Sequence, residues 1–198
     1  MTRRSGPLRR IVAVALLLAT VSVGSAAESS SLWVIDYAKS QIEFAGDQAG
    51  APFTGRFHDW QAAIELDLSA PQEARFAVDI DLASAASGDS DRDATLQEDA
   101  WFATAIHPVA TFSATEFALG DAGDWVSRDA TLTIKGQTHP VTFSFAASLE
   151  PGTTVVTLRG TATLSRLALG IGTGDWADTE WVGDAVVVTV VVQGSLNR

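Results

Sequence analysis

From residue 30 onward, apolar residues recur at every second position through most of the chain. Phe76, Val78, Ile80 and Leu82 alternate with Ala77, Asp79 and Asp81, which is the pattern of a strand with one buried face. The same period predicts strands at 32–36 and 40–44, around a turn near Lys39. Residues 47–52 are Gly/Ala-rich and polar and read as a loop. Residues 53–68 form one long strand or a bent pair. Phe57 and Trp60 stand three apart and break the alternation, whereas Ile64, Leu66 and Leu68 restore it, so a bulge near His58-Asp59 reconciles the two registers. Pro71 marks a turn, and 83–89 is a stretch of small residues. Further strands are predicted at 109–117, 125–134, 138–149 and 153–167. Between them lie a Gly-Asp turn at 120–124, a hairpin at Lys135-Gly136-Gln137 and a turn at Pro151-Gly152. A Gly-rich stretch at 170–183 carries Trp176 and Trp181, and the last strand, 185–196, is valine-rich on both faces.

Period two fails in one place, residues 92–112. Ser90 is positioned to cap the backbone N–H of Asp93, and Asp91 and Asp93 suit the positive end of a helix. Ala94, Leu96, Gln97, Glu98 and Ala100 tolerate helix without a β-branched run. His107-Pro108 stops it, because the residue before proline is pushed toward extended conformations. A short helix near residues 91–102 is therefore expected, with Leu96, Trp101 and Phe102 on its apolar edge, covering the end of a barrel.

Antiparallel strands at hairpin spacing, with no strand–helix–strand rhythm, predict an all-β domain of about eight strands. A valine strand apolar on both faces is an aggregation hazard at an open edge, and closure removes the edge. A β-barrel is thus preferred to a sandwich. Inward stripes at Ile64/Leu66/Leu68, Phe76/Val78/Ile80/Leu82, Leu132/Ile134, Val141/Phe143/Phe145 and Val186/Val188/Val190/Val192 converge on one interior. An eight-stranded barrel is either filled by side chains or holds a small ligand; these stripes leave both open.

The N-terminus changes the picture of location. Arg3, Arg4, Arg9 and Arg10 precede an apolar run at 11–23, shorter than the roughly 20 residues of a membrane helix. Ser25-Ala26-Ala27 is a small-residue cleavage site, so residues 1–27 read as a cleaved signal peptide and 28–198 as one mature domain, periplasmic or secreted. Losing those four arginines takes the formal charge from −11 to −15, which argues against nucleic acid as a partner. The absence of cysteine excludes a disulfide framework and a lipoprotein anchor.

Candidate chemistry is sparse. There is no cysteine, and no serine lies in a Gly-x-Ser-x-Gly elbow, so the chain does not read as an enzyme. His58, His107 and His139 lack metal-ligand spacing, and no metal site or cofactor is predicted. Asp89, Asp91 and Asp93 lack the glycine and distal glutamate of a calcium loop and suit helix capping better. Arg92 and Asp93 are assigned structural roles, a salt bridge beside the cap locking the helix down.

Several motifs in order resemble the YceI-like family, bacterial exported proteins with a lipocalin-like barrel. They are Trp33-x-Ile35-Asp36 with Ser40-x-Ile42-x-Phe44, Gly55-x-Phe57 leading to Ile64, and Phe76-x-Val78-x-Ile80. Arg92-Asp93-x-x-Leu96, Trp101-Phe102 followed by Pro108-x-Ala110-x-Phe112, Leu132-Thr133-Ile134-x-Gly136 and Pro140-Val141 complete the series. Two departures stand out: Ser40-Gln41 where many members carry Ser-His, and Gly46 to Gly50 in place of a family histidine. The resemblance implies an extended antiparallel β-barrel whose apolar tunnel binds an isoprenoid lipid, of polyprenyl or quinone type. The candidate lining residues are then Phe57, Ile64, Leu66, Phe76, Val78, Ile80, Phe112, Leu132, Ile134, Phe143, Phe145, Val188 and Val190. The ending Leu164-x-Arg166-x-x-Leu169-Gly170-Ile171-Gly172-x-Gly174-x-Trp176 is similar to a branch associated with inner-membrane b-type cytochromes. This chain carries no haem-bearing helix, so such a cytochrome is implied as a partner, with Trp176 and Trp181 as interface anchors.

Overall fold

Every strand pair in the domain is antiparallel, and several stretches of chain pass from one sheet into the other at a corner. A computed structural model describes residues 33–196; the signal-peptide expectation at 1–27 lies outside them. In chain order the strands are β1 (Trp33–Ile35), β2 (Gln41–Gln48), β3 (Ala51–Phe57), β4 (Trp60–Glu65), β5 (Arg75–Asp81) and β6 (Ala85–Ala86). After helix α1 (Ser90–Leu96) come β7 (Val109–Ala114), β8 (Phe117–Leu119), β9 (Trp125–Ser127), β10 (Thr131–Ile134) and β11 (Gln137–Pro140). The last three are β12 (Phe143–Leu149), β13 (Val155–Ser165) and β14 (Ala185–Leu196).

The ladders group into a nine-stranded and a five-stranded antiparallel sheet. Continuous chain crosses between the sheets at corners. His58-Asp59 joins β3 to β4, the turn Leu82–Ser84 joins β5 to β6, and Glu116, at φ 50°, joins β7 to β8. From β2 onward, if each bent pair is taken as one ribbon, every ribbon hydrogen-bonds to the next along the chain. The last, β14, returns to both β2 and β1. The Trp33 indole also donates to the Leu66 carbonyl at 3.3 Å, tying β1 to the end of β4. The result is an extended antiparallel barrel, in which the valine strand β14 is central, between β13 and β2, with no free edge.

The strands predicted at 109–117, 125–134 and 138–149 each break in two where the chain turns from one sheet into the other, and three further places depart from the sequence pattern. First, residues 47–52 are not a loop: β2 and β3 pair as far as Gln48 and Ala51, turning through Ala49 (φ 53°) and Gly50 (φ 75°). Positive φ at both turn residues matches the twist of a tight hairpin, but alanine gives no sequence signal for it. Second, Asp89 caps the helix, not Ser90; its carboxylate accepts from the N–H groups of Asp91 and Arg92 at 3.1 and 3.0 Å. Third, the helix stops at Leu96, and tight turns carry the chain to His107. At 3.6 residues per turn, Leu96, Trp101 and Phe102 would point to different sides of one continuous helix. The turns let all three bury against the barrel interior, at 6, 8 and 7 % exposure.

The interior divides into two halves. One half is solid, with Phe76, Phe117, Phe143 and Phe145 packed edge to face and the Phe117–Phe145 and Phe76–Phe145 centroids 4.9 and 5.0 Å apart. Trp33, Leu66 and Val156 close the same end. The other half gathers Phe44, Leu82, Leu132 and Ile134 from strands with Leu96, Trp101, Leu169 and Ile171 from the covering segments. In both halves a ring lies over a strand glycine, Phe143 over Gly160 and Phe44 over Gly55. A Cβ at Gly160 would sit 2.5 Å from Phe143 Cζ. Gly160→Val is therefore expected to cost about 1–3 kcal/mol by overpacking. An unchanged denaturant midpoint for that variant would show that the ring does not depend on the glycine.

Candidate ligand-binding site

The hollow half of the barrel encloses a cavity of about 180 Å³ with an almost wholly hydrocarbon wall. Alternation along β14 places Val186, Val188, Val190 and Val192 on that wall, while Val187 faces out at 40 % exposure. Opposite stand Ile64, Phe76, Val78, Ile80, Phe112, Leu132, Ile134 and Phe143, with Phe57 toward the mouth end. Small residues at Ala62, Ala110 and Ala162 leave the volume that phenylalanines fill at the other end. Two of the expected lining residues are elsewhere. Leu66 lies beyond the end of β4 under Trp33, and Phe145 is the centre of the aromatic stack, 2 and 1 % exposed. Both belong to the solid floor, because period two tells inside from outside but not the level along the barrel axis.

The mouth is built from α1, the turns after it and the segment between β13 and β14. Here stands a residue that the strand pattern did not single out, Arg166, 2 % exposed at the end of β13. Its guanidinium gives all five N–H groups to backbone carbonyls. Nε bonds Gly183 (3.0 Å), one terminal nitrogen bonds Ile171 (3.2 Å) and Gly172 (2.7 Å), and the other bonds Trp176 (2.8 Å) and Val182 (2.7 Å). Burial pushes its pKa down while the nearby Asp184 carboxylate pushes it up. Asp184 in turn accepts from the Leu167 N–H (3.0 Å) and the Ser165 hydroxyl (2.9 Å), and these bonds hold its pKa below the usual carboxylate range. Apart from its place in the motif Leu164-x-Arg166-x-x-Leu169, the signal for Arg166 was a lone cation amid glycines, which have no side chains to answer it.

Arg92 and Asp93 do the fastening expected of them, with hydrogen bonds added to the ion pair beside the cap. The Arg92 Nε donates to Gln48 Oε1 and a terminal nitrogen to Ser87 Oγ, each at 3.0 Å, while its face covers the Phe53 ring at 4.3 Å. Its distance to the Asp89 carboxylate is 3.8 Å. Asp93 accepts from the Ser87 N–H and hydroxyl, both at 2.7 Å. Trp176 is not a free anchor: its ring packs against Trp101 at 5.6 Å, and its carbonyl is held by Arg166. Trp181 is 52 % exposed.

A β-barrel closed around its own valines, solid at one end and hollow at the other, belongs to the class of small barrels able to hold an apolar ligand. The chain is a member of the YceI-like domain family, whose model matches residues 33–194, as the order of its motifs implied. Among solved structures it is similar to Burkholderia cenocepacia BcnA, at 27 % identity and TM-score 0.75, over 81 % of this chain and 99 % of that one. It is also similar to the Campylobacter jejuni YCEI protein, at 21 % identity and TM-score 0.62, over 73 and 85 % of the two chains. A polyisoprenoid binding domain from Saccharophagus degradans, implicated in plant cell wall breakdown, shares the fold at 17 % identity and TM-score 0.60, over 84 and 99 %. Comparison with curated proteins found no match.

Two outcomes follow from the mouth. Arg166→Met strands five carbonyls, and with about 1–3 kcal/mol for each acceptor that stays buried and unpaired, a stability loss of at least about 3 kcal/mol is expected on denaturant titration. Lysine, with three donors on a point charge, recovers only part of it; full recovery would refute the role given to the five-donor fork. Because Asp184 has a depressed folded pKa, its contribution is complete above the unfolded value near 4 and disappears as pH falls through the folded one. Amide-exchange protection in residues 167–184 should therefore fall as pH drops below about 4, and Asp184→Asn should flatten that dependence.

Proposed function

We propose that the protein is an exported, non-enzymatic binding protein that holds an isoprenoid lipid, of polyprenyl or quinone type, with its tail in the barrel cavity. The observation that carries this reading is the hydrocarbon cavity itself, floored by stacked aromatics and covered by segments separate from the barrel strands. At about 180 Å³ it exceeds the roughly 150 Å³ of an engineered apolar cavity that stays dry and takes up benzene. It is below the roughly 300 Å³ at which drug-sized pockets begin, so a long tail needs more room than this conformation offers. Each CH₂ transferred from water contributes about 0.8 kcal/mol, so one five-carbon unit contributes about 4 kcal/mol before ordering costs. The family relation and the polyisoprenoid binding domain with the same fold support the same class of ligand. The basic-then-apolar N-terminus supports periplasmic or secreted location.

A second reading, an interaction module for an inner-membrane b-type cytochrome, is favoured by one feature, the half-exposed Trp181. Cytochrome co-purification that is lost in Trp181→Ala, with lipid content unchanged, would support it.

Solvent extraction of the purified protein followed by mass spectrometry should recover an isoprenoid lipid. Filling the cavity with Val188→Trp should reduce lipid uptake by about tenfold or more while the β-sheet circular dichroism is retained. Repeated preparations without lipid, together with no uptake of added quinones, would refute the reading.

A further inference from the structure

The interior changes from hollow to solid at a definite level. Phe76, Phe143 and Leu158 belong to the solid cluster and also line the cavity, whereas Phe117, Phe145 and Val156 belong to that cluster alone. The first three are therefore the upper face of the floor and the last three its interior. Strand β13 and its continuation locate the change. From the floor upward the inward positions are Val156, Leu158, Gly160, Ala162, Leu164 and Arg166. All of these line the cavity except Val156, which lies below it, and Gly160.

The place over Gly160 is taken by the Phe143 ring, which a Cβ on the glycine would meet at 2.5 Å. Phe143 pairs with Ala162 across the ladder and leans toward the glycine one inward position lower. A ring laid over bare backbone thus ends the hollow half. The Phe76 and Phe112 centroids stand 6.1 and 5.0 Å from it, and Phe145, the next inward residue of β12, is fully buried opposite Gly160. Rings interlocked in this way resist deformation, as closely packed interiors do. A tail too long for the cavity therefore has no exit through the floor, and its remainder stays at the mouth in water. Building on the isoprenoid reading above, we propose that the floor measures the tail, with the Phe143 ring as the stop. Tails up to one length are enclosed whole, and each five-carbon unit beyond it is left outside.

The test offers tails from a bilayer, so that an enclosed unit exchanges one apolar surrounding for another and changes affinity little. A unit left in water loses about fourfold per CH₂, so a drop of at least about tenfold per five-carbon unit is expected beyond the limit. Phosphatidylcholine vesicles carrying an equimolar series of benzoquinones with one to ten prenyl units are incubated with the full protein. The protein-bound fraction is then separated, extracted and read by mass spectrometry. Recovery should be cut off above one tail length. Phe143→Ala should move the cut-off about one unit longer, because six ring carbons make way for a five-carbon unit. Gly160→Ala should move it shorter, because the new Cβ drives the ring into the hollow side. Opposite shifts are a result that general loosening of the floor would not produce, and Gly160→Ala, which removes no hydrocarbon, carries the test if Phe143→Ala does not fold. Even recovery across the series, or a cut-off that the folded variants leave in place or move in the same direction, would overturn the stop and leave the isoprenoid reading intact. Recovery of no quinone of any length would overturn both.

Discussion

Five backbone carbonyls from residues 171–183 converge on the guanidinium of Arg166, and the mouth of the barrel is organised by that convergence. The segment between β13 and β14 contains one short 3₁₀ turn, Gly174–Trp176, and has few ladder partners for its carbonyls. A buried carbonyl must be paired, and a planar five-donor group can pair several at once. Gly172 shows how close the packing is. It sits at φ 66°, and a side chain there would collide with the guanidinium, so only glycine lets the backbone approach. Lys135 repeats the device from the neighbouring hairpin, its ammonium donating to the carbonyls of Asp99 (3.0 Å) and Gly170 (2.9 Å). These two cations hold the turns after α1 and the segment before β14 over the opening.

The same strand chemistry yields a solid floor and a hollow upper half because side-chain volume differs between levels. At the floor, four phenylalanines meet edge to face beneath Trp33. Higher up, the wall carries valines on β14 and small alanines at 62, 110 and 162, and these short side chains leave the space between them unfilled. All ladder hydrogen bonds are made within the wall, so the interior needs no polar group and presents hydrocarbon to whatever enters.

Alternation along the chain determined a good deal by itself: the antiparallel all-β class, the bend at His58-Asp59 and the bounds of the valine strand, though not which of its two apolar faces turns inward. Those features are local, since neighbouring side chains on a strand must point to opposite faces whatever the rest of the chain does. Only the tertiary structure decided how high each inward residue sits, which sent Leu66 and Phe145 to the floor while Phe57 and Phe112 line the cavity. It also decided where the helix ends and that Trp176 packs on Trp101, because both follow from closing a barrel mouth and not from any propensity of residues 97–107. Arg166 is the clearest case. Its partners are carbonyls, which every residue carries, so no pattern of side chains in the sequence could mark the bonds that hold the opening together.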